Sequence, residues 1–476
     1  MNSLPRQLTL LRNATLHDGR LCDITIAGDT VVAVEPAAAA ITPNQASDVI
    51  DLSGYVLLTA PAEPHAHLDK ALSFDLINPP MGDLRSAIDA WHAYSATMTV
   101  ESIADRARTQ AMTMLGQGIT AIRCHVDVLV GDEPTRGAQA LVQVRDELAG
   151  LIDIELVALA GHLSPDEHVD AILDLGIDLV GGAPHLAPDP VADLTRLLAI
   201  AKRRGAGVDM HTDESLDGAV TLVDYARIVR SWPVGTSLSA GHCVRLGTLG
   251  AEQLSAVIDE VLASNIGIVS LPITNLYLQG WEHPVSTPRG LTALRALLDA
   301  GVRVGAGADN VRDPFNPVGR SDALETASLL VTAGHLTLTE AYDAVSSGAR
   351  SVMHLPTAGA HVGAKAEFLA VRGTNLGDVI SNAPADRYVI HAGRLVAHSE
   401  VRRTIAAPLL APAPSTPLLL ETTQRATAAQ LAQRSTTLGL THSTTPTTLH
   451  TADASSHDHC SQHSRSQSLV AQLHTD

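Results

Sequence analysis

The chain has 476 residues, 45% of them apolar and 17% charged, with 51 Asp and Glu against 32 Lys and Arg for a net charge of −19. This composition excludes wholesale disorder, which requires few apolar residues. The negative balance and the 12 aromatic residues (Phe 3, Tyr 6, Trp 3) disfavour a polyanionic partner, so no nucleic acid is expected.

The opening segment MNSLPRQLTLLRNATL lacks the basic start and apolar run of a secretory signal, and no apolar stretch reaches the ~18 residues of a membrane span. Cys22, Cys124, Cys243 and Cys460 lie far apart with no CxxC pair, which fits a reducing compartment. A cytoplasmic protein without a membrane partner is expected.

Along the first 60 residues, short β-rich runs (Leu8–Leu11, Asp23–Ile26, Val31–Val34) are separated by turn residues such as Ala27-Gly28-Asp29. The pattern returns at Glu367–Val371 and Tyr388–Ala397, the latter broken by His391-Ala392-Gly393-Arg394. These flanks predict one small sheet domain built from both ends of the chain, residues 1–60 plus 362–405.

Between them, apolar runs alternate with helical patterns. The runs are Tyr55–Thr59, Thr120–Val128, Ile154–Ala160, Leu179–Gly182, Gly207–His211, Ser237–Gly241, Gly267–Leu271 and Arg303–Gly307. Helices are predicted at Ser102–Leu115, Ala138–Ala149, Asp166–Leu175, Ala192–Arg204, Ala251–Ser264 and Leu291–Ala300, with Gly176, Gly205 and Gly301 placed as C-terminal caps. Eight strands in β/α alternation predict an α/β fold, a (β/α)8 TIM-type barrel over residues 61–361. From residue 406 to 476, Pro, Thr, Ser, Gln and His dominate and predict a low-complexity, disordered tail. Its His457, His459, Cys460 and His463 are read as part of that tail rather than as a metal site.

Nearly every predicted strand ends in a His, Asp or Glu, at the end of a barrel where active sites are built. His65 and His67 follow strand one in PHAHLDK and, two residues apart, face the same way. His211 ends strand five, His242 ends strand six and Asp309 follows strand eight. Imidazoles with one carboxylate suit a divalent cation such as Zn2+ or Fe2+ and leave room for water, whose pKa such an ion lowers from about 15.7 towards ~7.

PHAHLDK (64–70), HTDE (211–214), SAGH (239–242) and GADNVRDPFNP (307–317), in this order, resemble the amidohydrolase superfamily and in particular its cytosine deaminase-like branch. IRCHVDV, VGGAPH and NLYLQG add to the resemblance, which covers roughly residues 6–400. It implies that the flanking β-rich pieces form a β-sandwich and that His65, His67, His211 and Asp309 hold one metal ion. It further implies that Glu214 is the acid–base residue protonating a ring nitrogen, and that His242 holds the attacking hydroxide. The chemistry agrees: attack at an amidine carbon puts charge on the adjacent nitrogen, which a nearby carboxyl of raised pKa can protonate, while Asp309 takes the proton of water. Two-metal relatives need a Lys after strand four; GGAPHLAP offers none, and Lys70 is misplaced for that part.

Two positions depart from cytosine-specific relatives. Gly161, followed by His162, stands where those carry a pyrimidine-reading Gln, and Asn310 stands where they carry a second Asp. Gln279 and Phe315 are further candidates for contact with substrate, with ordinary packing as the alternative. Arg123, His125 and Asp127 form a polar face that either lines the substrate or pairs internally; His185 and Asp313 read as bracing residues.

The function expected is metal-dependent hydrolysis of a non-peptide C–N bond in a cyclic amidine or related heterocycle, releasing ammonia or an amine from a small-molecule substrate. The alternatives are ring-opening hydrolysis of a cyclic amide and a catalytically inactive, ligand-binding barrel. Subunit number stays open, a homo-oligomer included.

Overall fold

The computed structural model describes residues 4–37 and 48–406. Eight parallel strands form one sheet in sequential order: β1 (Ala62–Ala66), β2 (Ala121–Asp127), β3 (Asp153–Ala160), β4 (Leu179–Gly182), β5 (Gly207–Thr212), β6 (Leu238–His242), β7 (Gly267–Ser270) and β8 (Val304–Ala306). A single parallel bridge, Ala66 to Asp309, brings the first strand to the segment after the last and nearly closes a barrel. Its helices begin and end on local signals. Pro190–Arg204 starts at Asp189, whose side chain accepts the Ala192 N–H, has Lys202, Arg203 and Arg204 in its last turn and stops at left-handed Gly205.

The flanks build a second, nine-stranded sheet. Leu10–Leu16, Leu21–Ala27 and Thr30–Pro36 meander at one end; Phe368–Arg372, Arg387–His391 and Arg394–Ser399 do so at the other. Tyr55–Thr59 joins the halves, parallel to Leu10–Leu16 and antiparallel to Phe368–Arg372.

That last strand corrects an expectation. Tyr55–Thr59 had the apolar run expected of the first barrel strand, yet it belongs to the flanking sheet. Both its faces are covered: Tyr55 and Leu57 enter the flanking core with Leu11, Ile24 and Phe368, while Val56 and Leu58 pack into the barrel's outer core. A strand buried on two sides reads as continuous apolar sequence. The true first strand, AEPHA, is buried throughout but sends Glu63 and His65 towards the barrel axis. The helix expected over Leu291–Ala300 spans only Leu294–Asp299.

Cys22, Cys124 and Cys243 are free and buried. Among the described residues no helix is long and apolar enough to cross a membrane. The low-complexity tail, with His457, His459, Cys460 and His463, lies outside the described residues.

Candidate metal centre and catalytic site

Six side chains from four strand ends converge at one end of the barrel. His65 lies in β1 and His67 just beyond it, His211 in β5, Glu214 in the following loop, His242 at the end of β6 and Asp309 beyond β8. All six are buried. His242 and Asp309 adopt φ of 65° and 67°, and Asp213 one of 53°. These left-handed kinks where strands become loops are the kind of strain that collects at functional sites.

The ring atoms His65 Nε2 and His211 Nε2 lie 3.0 Å apart, and His211 Nε2 lies 3.2 Å from His67 Nε2. Asp309 Oδ1 is 3.2 Å from His67 Nε2 and 3.9 Å from His65 Nε2. Ligands about 2.0–2.1 Å from a tetrahedral ion sit ~3.3 Å apart, so these spacings suit one cation. Protons cannot satisfy them all, because a neutral imidazole carries one N–H and His211 Nε2 faces two other rings. Both Asp309 oxygens accept no hydrogen bond among the described residues. A buried carboxylate without a partner is costly, and a cation supplies the partner.

Electrostatics keeps the cluster able to bind a cation. Burial first, then neighbouring cationic and imidazole groups, holds His65, His67 and His211 well below the ordinary histidine range, in the neutral form that ligates. Burial pushes Asp309 up, and the carboxyls of Glu214, Asp313 and Glu63 add to this. Burial alone raises Glu214 to about 8. Glu214 Oε1 lies 3.2 Å from His242 Nδ1, and His242 Nε2 lies 3.9 Å from Asp309 Oδ2.

The remaining candidates fall on four loops. Asn310 Nδ2 donates to Asp313 Oδ2 at 2.8 Å, and Asp313 Oδ1 accepts the Phe315 and Asn316 N–H groups, so Asp313 braces the loop carrying Asp309. Phe315 is half-buried against the barrel's outer core. Gln279 Nε2 donates to the Glu214 carbonyl at 2.6 Å. Gly161 and His162 are exposed on the loop after β3, with the Gly161 carbonyl accepting from Arg196. His185 Nδ1 meets the His211 carbonyl at 3.2 Å, a bracing contact.

The polar face of β2 divides by height. Arg123 is enclosed by Asp209, Glu155, Ser237 and Ser239, whereas Asp127 binds Lys70 and Trp91 above.

Two buried residues escaped sequence reasoning. Asn275 meets His242 Nδ1 at 3.0 Å. The Glu63 carboxyl, which burial pushes up to about 8, accepts the His65 N–H at 3.2 Å and the Ala308 N–H at 2.9 Å across the β1–β8 seam. A Cβ at Gly307 would overlap it, so only glycine fits there. The available signal for Glu63 was its two-residue spacing from His65 on one strand face; for Asn275 it was the four-residue spacing from Gln279.

The chain matches the amidohydrolase family over residues 78–397. It is 30% identical over 393 residues to a pterin deaminase of Rhizobium rhizogenes (strain K84 / ATCC BAA-868), covering 79% of this chain and 88% of that protein. It is 26% identical over 416 residues to an N-isopropylammelide isopropyl amidohydrolase of Pseudomonas sp. (strain ADP), covering 82% and 98%. Among solved structures, a 5-methylcytosine deaminase from Klebsiella pneumoniae liganded with phosphonocytosine superposes with a TM-score of 0.76 at 26% identity, covering 84% of this chain and 100% of that one. With a buried His/Asp cluster able to hold a metal ion at the mouth of its barrel, the chain belongs to the amidohydrolase family, and these named relatives are deaminases and an amidohydrolase.

Proposed function

We propose that this chain hydrolyses an exocyclic C–N bond of a small heterocycle, releasing ammonia or an amine, with one Zn2+ or Fe2+ held by His65, His67, His211 and Asp309. The ring carries an amidine, so that a nitrogen next to the attacked carbon can receive a proton. When bound, the cation lowers the pKa of water at the site and makes hydroxide available near neutrality.

The protein's own residues do the rest. Asp309 takes the proton released by the attacking water, and His242 Nε2 holds that water in place. Glu214 gives its proton to the ring nitrogen as the carbon becomes tetrahedral; the proton held by Asp309 then goes to the leaving amine, and the new hydroxyl returns one to Glu214 as the carbonyl forms. The observation that carries this reading is a carboxyl held protonated near neutrality by burial, 3.2 Å from His242, beside a buried His/Asp cluster able to hold a metal ion. A binding protein has no need of such an acid.

Pterin, cytosine and isopropylammelide are the substrate chemistries named for the relatives, and they head the test panel, followed by purines and creatinine-like rings. In the same reading residues 1–60 with 362–405 form a β-sandwich domain and 61–361 the hydrolase barrel.

The test is ammonia and amine release by purified, metal-assayed protein, with a chelated control. We expect release from at least one ring, lost on chelation. Protein holding about one metal per chain yet inert across the panel would overturn the reading in favour of a binding barrel. A ring-opened product without ammonia would overturn it in favour of cyclic amide hydrolysis.

A further inference from the structure

We propose that Asn275 and Gln279, one helical turn apart, are positioning residues that hold His242 as a hydrogen-bond donor and Glu214 against it; this rests on the function proposed above. Both sit on one short segment, the helix Pro272–Leu278 and the residue after it, which follows directly on β7. Both are buried. At a spacing of four residues they point to the same side of the helix, one towards β6 and the other towards the loop after β5.

Asn275 Nδ2 lies 3.0 Å from His242 Nδ1. An amide nitrogen only donates, so Nδ1 accepts, and the one proton of the neutral ring resides on Nε2. His242 Nε2 has no hydrogen-bond partner among the described residues and lies 3.9 Å from Asp309 Oδ2. Its N–H is therefore aimed beside the oxygen that receives the water's proton. His242 thus steadies the water and is not the base; that task stays with Asp309. One turn on, Gln279 Nε2 donates to the Glu214 carbonyl at 2.6 Å. This clamps the strained stretch after Asp213, and Glu214 Oε1 stands 3.2 Å from the same Nδ1. Gly290 packs against both: a Cβ there would come within 2.6 Å of Gln279 Cγ and 2.9 Å of the Asn275 carbonyl oxygen.

The experiment uses full-length, zinc-loaded protein labelled with 15N-histidine. Long-range 1H–15N correlation reads the tautomer of His242, identified by its loss in His242→Gln. We expect the Nε2–H form in the wild type and the Nδ1–H form in Asn275→Asp, whose carboxylate only accepts, with zinc content unchanged. On whichever heterocycle the wild type hydrolyses, kcat should fall about 100-fold in Asn275→Asp and about 10-fold in Gln279→Met, with KM within about threefold. Should Asn275→Asp fail to fold, Asn275→Ala serves, with both tautomers expected. An Nδ1–H ring in the wild type, a tautomer unmoved by either Asn275 substitution, or loss of zinc would overturn the assignment. Tautomer and zinc are read without substrate, so absence of turnover in the wild type would count against the proposed function alone.

Discussion

Replacing Glu63 by Ala probes the seam on which the metal centre stands. The carboxyl accepts the N–H groups of His65 and Ala308, at 3.2 and 2.9 Å, and that of Asp309 as well. The side chain is only 3% exposed, so water does not replace it cheaply. Leaving a buried donor unpaired costs roughly 1–3 kcal/mol, and truncating a buried side chain adds a cavity term. With two or three donors stripped, the expected loss is about 3–6 kcal/mol, a large share of the ~5–15 kcal/mol by which a folded domain is stable. The Ala66–Asp309 bridge also links this seam, and beyond it the Leu72 and Phe74 N–H groups donate to the Val311 and Arg312 carbonyls. His65 and Asp309 should therefore drift apart, and zinc affinity should fall at least about tenfold. Urea denaturation of metal-free protein measures the first effect and chelator competition the second. A stability loss below about 1 kcal/mol with unchanged zinc affinity would refute the argument.

Other substitutions separate the roles of the site and test its surroundings. Glu214→Gln should keep the metal and the melting temperature but lose about 10²–10⁴-fold in kcat, whereas Asp309→Ala should lose metal and turnover together. Equal metal loss in both, measured by elemental analysis, would undo that division. A Cβ at Gly161 would meet only Ser164 Oγ at 3.9 Å, so Gly161→Gln should fold normally and raise activity on cytosine. Asn310→Asp should instead cost about 1–3 kcal/mol by setting a second carboxylate against Asp313, whose own carboxyl burial already pushes up to about 6.

His391, Glu367 and Arg350 form a buried cluster between the two sheets. Burial opposes charge on both His391 and Glu367, but their mutual bond prevails, raising His391 above 6.5 and lowering Glu367 below 4.5. The histidine's contribution is complete below pH 6.5 and fades as pH rises through its folded value; the glutamate's is complete above 4.5 and fades as pH falls. His391→Gln should therefore cost about 1–3 kcal/mol at pH 5.5 and less at pH 8.5. Equal losses at both pH values in urea melts would contradict the pairing.

What could be read from the sequence followed from where function meets regular structure. Barrel alternation leaves a period that survives in one chain, and ligands at the ends of strands fall at its breaks, so His65, His67, His211, His242 and Asp309 stood out without coordinates. The first strand was hidden because its inner face carries Glu63 and His65, while Tyr55–Thr59 is apolar on both faces for the separate reason that it separates two cores. The sequence leaves Gln279 between substrate contact and ordinary packing, and the structure directs its amide nitrogen to the Glu214 main chain. Asn275 gained meaning only through His242, 33 residues away. Contacts of that kind leave no period to detect.

Beneath the metal ligands lies a second group with the same appearance, His65, His125 and Asp209, whose ligand atoms lie within 4.8 Å of one another. Arg123 makes one cation rather than two the expected count. Its guanidinium is fully buried, with Nη1 3.0 Å from Asp209 Oδ2 and Nε 2.6 Å from Glu155 Oε2, and occupies the role a lower cation would fill. A second ion beside it would face an uncompensated like charge in a medium that screens poorly. Arg123→Met strands Asp209 and should cost about 3–5 kcal/mol, and it also removes the charge that excludes the ion. Zinc should then restore part of the lost stability, with stoichiometry rising from one towards two per chain. Wild-type protein binding two zinc ions tightly, or a variant that still binds only one, would show that something other than the guanidinium sets the count.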